Sequence, residues 1–550
     1  MKALVLSLAC LVALVVPASA QSGSVAVVTN VAGLTNRPPS TVAPVVSVSG
    51  YFSNGDWGQA RTIRYVPNST NVVDNGCTFP TITGTGRWEA ADCDGDAVNV
   101  RWFGATGNGS TADTTAITSA AGKVQRRGGG VLQFPPATYL VRAPSGGIVC
   151  YFSNLTDVAI DAKGARFVTD DFGDSTFLAA TLTVSGTTAT ATTPTAHGWI
   201  VGDTILVKSA STNGYDGPYT VATVPATNRV TFALSGYSTP TTSATALIRK
   251  QDFYNELFRF KSCTNINLGA ITFRGTVQPQ DIQYRLGWIA VNVRQNCRTI
   301  RGDLYLSSVA YGIWSGDYDN ATTGNSSDFD ARITADDTGY PVSLWGSGHD
   351  SKFAISGDRL HRGAYVGGVK RARFDLRIRH YDVAGILVTH QPEGGTNLLG
   401  CEDITADVVD TGTRNPIKLL GVGPTRYMAT VAGYEGATGV AHKNIRIRFY
   451  ATNAPATSPM QILTYGTNQA VEGLTIGGYV DERQLASTDV RHDFYVSQMA
   501  TNNGTFRDLA IRDFTVLSPT NLGGYNATLQ ITNLDNDVVV DNYRSSQSRN

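Results

Sequence analysis

The sequence predicts an all-β solenoid, a chain wound into stacked rows of short strands, and three observations point there. Over residues 298–420 one pattern recurs: Arg332-Ile333-Thr334-Ala335-Asp336-Asp337, then Ala354-Ile355-Ser356-Gly357-Asp358-Arg359, then Arg377-Ile378-Arg379-His380-Tyr381-Asp382. Each row is followed by a second short apolar strand, Val342-Ser343-Leu344-Trp345, Gly363-Ala364-Tyr365-Val366 and Gly385-Ile386-Leu387-Val388. Within rows apolar and polar residues alternate, as Phe374, Leu376 and Ile378 do against Arg373, Asp375, Arg377 and Arg379, so one face fills a core and the other stays open. Composition agrees, since 57 glycines and only 16% charged residues in 550 favour many short strands joined by turns.

Taken in order, the chain starts with Lys2, an apolar run over residues 3–16 and Pro17-Ala18-Ser19-Ala20. A basic start, a short apolar core and a small-x-small end form a secretory signal over residues 1–20, so the expected location is extracellular or periplasmic. No later run approaches the ~20 apolar residues of a membrane span. Lys plus Arg balance Asp plus Glu at 44 each, so no net field draws the protein to nucleic acid or a membrane surface.

Residues 21–95 read as a Gly/Pro/Thr-rich N-terminal capping segment containing Gly50-Tyr51-Phe52-Ser53-Asn54-Gly55-Asp56 and Gly86-Arg87-Trp88. Cys77 and Cys93 flank its last loop and are the natural disulfide pair in an oxidising compartment. Cys150, Cys263, Cys297 and Cys401 stand at the entrances of coils with no metal-ligand spacing, which suits small stacked core residues. Next, Asp113 or Thr111 is placed to cap a short helix running to Gly122, and Gly128-Gly129-Gly130 returns the chain to a strand. The solenoid occupies residues 96–550, with rows roughly 20 to 40 residues apart. Residues 182–248 break the pattern with Thr/Ala/Val/Ser-rich strands and turns such as Ala196-His197-Gly198, the composition of a small inserted β-barrel serving as spacer or subunit contact.

The stretch Val98-Asn99-Val100-Arg101-Trp102-Phe103-Gly104-Ala105, the Gly107-to-Ile117 turn and helix start, and Gln133-Phe134-Pro135-Pro136-Ala137-Thr138-Tyr139-Leu140 carry a resemblance. Together with the Gly-Tyr, Gly-Asp and Gly-Arg-Trp elements of the lead segment, they are similar to the start of the pectate-lyase-like family, including phage tailspike and depolymerase members. The match covers about residues 48–142 at motif level and the remainder as a style of repeat. Ala112-Asp113 replaces that family's paired acids, and Ala137 its turn glycine. The resemblance implies a right-handed parallel β-helix, depolymerisation of a complex polysaccharide, and a homotrimer of the tailspike kind.

The carboxylates indicate where chemistry would sit. Asp336 and Asp358 share an offset from Ile333 and Ile355, which on neighbouring rungs of a parallel sheet places them about 5 Å apart. Asp337 and Asp382 fall one place further on, the latter roughly 9 to 10 Å from Asp336. Glycoside hydrolysis takes two carboxyls, ~5 Å apart for retention and ~6.5 to 9.5 Å for inversion, so this ladder supplies either. Repulsion between them would raise one carboxyl toward the range a general acid needs. Asp at solenoid corners also makes Asx turns, the structural alternative for each acid singly. Arg359, His361, Arg362, His380 and Tyr381 are candidates for orienting substrate, Trp314 and Trp345 for a sugar platform or an interior ladder, and His349 for the groove edge.

Two other readings stay open. The basic row Lys370, Arg371, Arg373, Arg377 and Arg379, with His380 or Tyr381 as base, suits β-elimination on an acidic polysaccharide, with Ca2+ held by the acids. Hydrolysis needs no metal or other cofactor. The third reading is a glycan-binding surface protein without turnover.

Overall fold

A computed structural model describes residues 25–41, 44–95, 97–144, 147–169, 178–209, 215, 217–234, 242–250, 255–275, 288–316, 325–389, 400–410, 427–432, 441–452, 458–464, 470–481, 492–498, 505–517, 527–532, 538–542 and 544–545. The chain divides into two units, Met1–Asp92 and Cys93–Asn550. In the first, the five strands Ala26–Val28, Val45–Val48, Arg61–Val66, Arg87–Ala90 and Thr78–Phe79 form one sheet in that order. Asp56 closes the Gly50-to-Asp56 loop by accepting from the backbone N–H groups of Tyr51, Phe52 and Ser53 at 2.5, 2.7 and 2.9 Å. Arg61, 4% exposed, lies over the Trp57 ring and grips Asp92 at 2.6 and 2.7 Å.

The second unit is a right-handed parallel β-helix. From Ile148–Ser153 onward the coils give one strand to an 11-stranded sheet and a longer stretch to a 20-stranded sheet, called here the second sheet and the long sheet. Coils are shortest at the centre, where Asp330 pairs with Lys352 and Lys352 with Arg373, so the chain there spends almost nothing on loops. Inward columns run straight through the rungs: Leu304, Ile333, Ile355, Leu376 and Val408 pair in succession and all are at most 2% exposed.

One corner of the coil takes a left-handed backbone on successive turns, and the sequence meets it mostly with short polar side chains and once with Arg371, at φ 54°. Asn265, Thr299, Asp328, Asp350, Asp403 and Asn444 take φ of 56, 58, 61, 54, 55 and 53°. Asn and Asp tolerate this region best, and their side chains bond along the stack, Thr299 to Asp328 at 2.9 Å and Asn444 to Asp403 at 3.0 Å.

The helix Thr114–Arg127 is longer than the predicted one, and Asp113 does not cap it. The Asp113 carboxylate instead accepts from the Thr106 N–H at 2.6 Å, the Thr106 hydroxyl at 3.0 Å and the Gly107 N–H at 3.1 Å. The helix serves the exposed edge of the second sheet. Thr118 donates to the Val149 carbonyl, and Gln125 both donates to and accepts from Ser153, satisfying backbone groups that an edge strand leaves open.

Between Arg166–Thr169 and Asn255–Lys261, six antiparallel strands within residues 178–250 close into a barrel around Leu182, Ile205, Val207, Val230, Phe232 and Ile248. His197 is a turn residue there, its Nδ1 accepting from the Trp199 N–H at 2.9 Å. Cys77 and Cys93 are disulfide-bonded, and Cys150, Cys263, Cys297 and Cys401 are buried free thiols. Among the described residues no helix is long and apolar enough to cross a membrane.

Candidate active site

The open face of the long sheet is a set of side-chain columns, one residue per rung. Asp303, Arg332, Ala354, Asp375 and Asp407 pair in succession, and two residues further along lie Tyr305, Thr334, Ser356, Arg377 and Val409. Small side chains at Ala354, Thr334 and Ser356 between larger neighbours leave a groove of about 690 Å³. Its cations differ in character. Arg373 is bound to Asp375 at 3.0 Å and Asp407 at 3.2 Å, and Arg448 reaches the same Asp407 at 2.7 Å. Arg332 and Arg377, both exposed, make no ion pair among the described residues.

Two residues further again, where the strands Ser327–Asp336 and Ser351–Asp358 end, Asp336 and Asp358 pair in register. Even spacing along a strand keeps Thr334 and Asp336, and Ser356 and Asp358, on one face, so the acid pair lies beside the groove, one outward position past its lining residues Thr334 and Ser356. Neighbouring parallel strands lie about 4.8 Å apart, and that spacing separates the backbones that carry the two carboxyls.

Arg359 knits this corner together. Its guanidinium bonds Asp336 Oδ2 at 2.8 Å and both oxygens of Asp337, one of them at 2.8 Å, and lies 3.4 Å from Asp358 Oδ2. Arg359 does so from a left-handed backbone, φ 53°, directly over Asp337 at φ 47°. His380, at the same corner of the next rung, places Nδ1 2.5 Å from Asp358 Oδ1.

The two acids therefore sit in unlike settings. Asp358 accepts from His380 and faces Arg359. Asp336 has one oxygen on Arg359, while its Oδ1 is shut off from solvent without a hydrogen-bond partner. Burial pushes the Asp336 carboxyl above its ordinary value; Arg359 opposes this, and the nearby Asp337 and Asp358 charges add to it. As for Ca2+, the cation between these carboxylates is already a guanidinium, and a metal ion would have to displace it. Among the described residues no group of three or more His, Cys, Asp or Glu side chains is arranged to hold a metal.

Several expectations need correction. Asp382 is not in the acid column: Ile355 pairs with Leu376 rather than Ile378, and Asp382 falls in Tyr381–Thr389 of the second sheet. The longer, 9 to 10 Å separation inferred for it has no basis in this register. Trp314 and Trp345 do not stack as two tiers, since Trp314 pairs with Ser343 and the partner of Trp345 in register is Gly316. They are 6% and 7% exposed within an aromatic cluster, Trp345 stacking on Tyr365 at 4.7 Å and Trp314 on Tyr311 at 5.1 Å. Arg362 and His361 join that cluster. Arg362 donates to the Tyr340 hydroxyl at 3.0 Å and lies 5.5 Å from the Tyr340 and Tyr365 ring centres, while His361, 6% exposed, meets the Tyr340 ring edge-on. Tyr381 is buried at the start of the neighbouring strand. His349 is a backbone anchor, its Nδ1 accepting from the Lys370 N–H at 3.0 Å, and burial holds its imidazole below the ordinary value. In the basic row, Lys370 pairs with Glu402 and Arg371 with Asp350. Tyr305 and Arg332, which line the groove, were missed; aligning outward positions of successive rows would have found them.

No family model and no curated protein matches this sequence. Among solved structures, the chain is similar to the A-module of a mannuronan C-5 epimerase from Azotobacter vinelandii, with 14% identity, 82% of this chain and 100% of that one covered, and a TM-score of 0.38. It is also similar to a tailspike of Acinetobacter baumannii bacteriophage Fri1, described as a capsular polysaccharide depolymerase (11%, 94% and 75% covered, TM-score 0.41). A third is the catalytic unit of a GH87 alpha-1,3-glucanase from Streptomyces thermodiastaticus (12%, 85% and 73%, TM-score 0.39). Likeness at this level says nothing of activity, and the parallel β-helix is established by the strand ladders of the chain itself.

Proposed function

We propose that this protein is an exported glycoside hydrolase that cleaves a complex polysaccharide lying in the groove of the long sheet, with Asp336 as proton donor and Asp358 as the second carboxylate. The observation that carries this reading is the in-register acid pair in unlike settings beside the groove. A carboxyl held above its ordinary value beside a second carboxylate bonded to an imidazole is what acid-plus-nucleophile chemistry requires. With Asp382 outside the column, the rung separation of about 5 Å favours retention, in which Asp358 attacks the anomeric carbon and water later releases the sugar. The polysaccharide class comes from the resemblance of residues 48–142, and export from the leader over residues 1–20. Homotrimeric assembly belongs to the same reading and is checked by light scattering.

A second reading is favoured by Arg332 and Arg377. Guanidinium groups that make no ion pair among the described residues, on a groove floor, are suited to neutralising a uronate carboxylate during β-elimination, with His380 as the proposed base. The test incubates the mature protein with neutral and acidic polysaccharides, following reducing ends and the ultraviolet absorbance of unsaturated uronates together. Hydrolysis predicts reducing ends without absorbance, and Asp336→Asn lowers the rate by about 10² to 10⁴-fold while binding persists. Both signals rising together would replace it with the lyase. Binding with no turnover would leave a glycan-binding protein.

A further inference from the structure

The outward column that passes through the groove does not end there. From Val409 it continues in register to Tyr450 and then Tyr479, so Tyr305, Thr334, Ser356, Arg377, Val409, Tyr450 and Tyr479 occupy one line on consecutive rungs of the long sheet. Aromatic side chains bracket this stretch of it, and the column itself runs on to Thr272 beyond Tyr305 and to Thr515 beyond Tyr479. Tyr305 is 47% and Tyr450 56% exposed, and the Tyr450 and Tyr479 rings lie 5.5 Å apart, tilted by 31°. Between them the line carries two hydroxyls and a guanidinium.

We propose that this line is a binding track for an extended glycan running along the β-helix axis, with Tyr305 stacking a sugar at one end and the Tyr450–Tyr479 pair at the other. The proposal rests on the reading that the protein acts on glycans and adds the direction, length and end subsites of the bound chain. The flat face of a tyrosine covers the C–H face of a pyranose, while its hydroxyl and the polar side chains between the ends meet the sugar's equatorial oxygens. Tyr305 to Tyr450 is five rung steps, about 24 Å at ~4.8 Å per step. A linear pyranose chain advances by close to one rung repeat per sugar, so the track holds on the order of five sugars. The acid pair lies beside it and off-centre. Asp336 and Asp358 are one and two rungs from Tyr305, whereas Asp358 is three rungs from Tyr450. Cleavage is therefore asymmetric, leaving the longer fragment on the Tyr450 side.

The test separates binding from turnover by using Asp336→Asn as the parent chain. Its retardation is measured by affinity electrophoresis in gels containing alginate, pectate, hyaluronate, xanthan or dextran. The track predicts retardation by at least one of them, weakened about tenfold by Tyr305→Ala and again by Tyr450→Ala, the factor an ordinary aromatic stacking contact is worth. Tyr151→Ala, at a 42% exposed tyrosine of the second sheet, leaves it unchanged. Competing oligosaccharides from the retarding polymer lose sensitivity to Tyr450→Ala once too short to span from the acids. Retardation indifferent to both tyrosines would overturn the track and leave the glycan reading standing. No retardation by any gel, with no turnover by the native chain, would overturn both.

Discussion

Removing the Arg359 guanidinium tests whether the acid corner is held by charge. The side chain is 32% exposed, and the three carboxylates around it range from 21% to 49%, so the cluster lies between a surface pair and a buried one. Surface pairs are worth ~0.2 to 1 kcal/mol, while breaking a buried one costs ~3 to 5, which places the loss in Arg359→Ala at about 2 kcal/mol near neutral pH. Alanine keeps the backbone cost of φ 53°, whereas glycine relieves it. That relief is ~1 to 2 kcal/mol against ~0.5 to 1 of extra unfolded-state freedom, so Arg359→Gly is the more stable variant by a little under about 1 kcal/mol.

The pH dependence has a definite sign. Asp336 titrates above its unfolded value, so its favourable contribution is complete below the unfolded carboxylate range and is lost as pH rises through the folded one. Without Arg359 nothing offsets the charge that then develops. The deficit of both variants is therefore largest near pH 7 and shrinks as pH falls through the carboxylate range. Urea unfolding followed by tryptophan fluorescence at pH 7 and pH 4 reads both effects, since Trp345 packs in the cluster that Tyr340 joins three residues after Asp337. A deficit unchanged between the two pH values would refute the electrostatic role, and equal stability of the alanine and glycine variants would refute the backbone argument.

Two further outcomes follow from the interior. Phe353 stacks between Phe329 at 5.6 Å and Phe374 at 5.3 Å, so Phe353→Ala opens a cavity that neighbouring rungs are too tightly packed to close. It lowers unfolding stability by about 3 to 5 kcal/mol, and a loss under ~1 would mean that the ring is not part of a continuous ladder. Burial pushes the Cys401 thiol up to about 12 and raises that of Cys150 as well. At pH 8 both are thiols rather than thiolates, and mass spectrometry after iodoacetamide treatment of the native protein finds neither modified; rapid labelling of either would place it outside the core.

How far the site could be read in advance depended on strand register. Asp336 and Asp358 were correctly matched because each lies three residues past an inward isoleucine that has a true partner, Ile333 with Ile355. The third row failed on the same rule. Phe374, Leu376 and Ile378 all point inward, and matching isoleucine to isoleucine chose Ile378 where the pairing chooses Leu376. A slip of two residues leaves every side chain on its proper face, so alternation cannot detect it. Its effect was to carry Asp382 into the acid column and to leave His380, already a candidate, without its contact to Asp358. The tryptophans failed likewise, because an apolar residue precedes both while register opposes Trp314 to Ser343. Arg359 was legible as a cation beside the acids, but its reach back across the rung depends on a left-handed corner that arginine seldom occupies. The alternating pattern thus identifies which residues face outward, whereas the lengths of the intervening corners decide which of them become neighbours, and the chemistry proposed here belongs to the second kind of information.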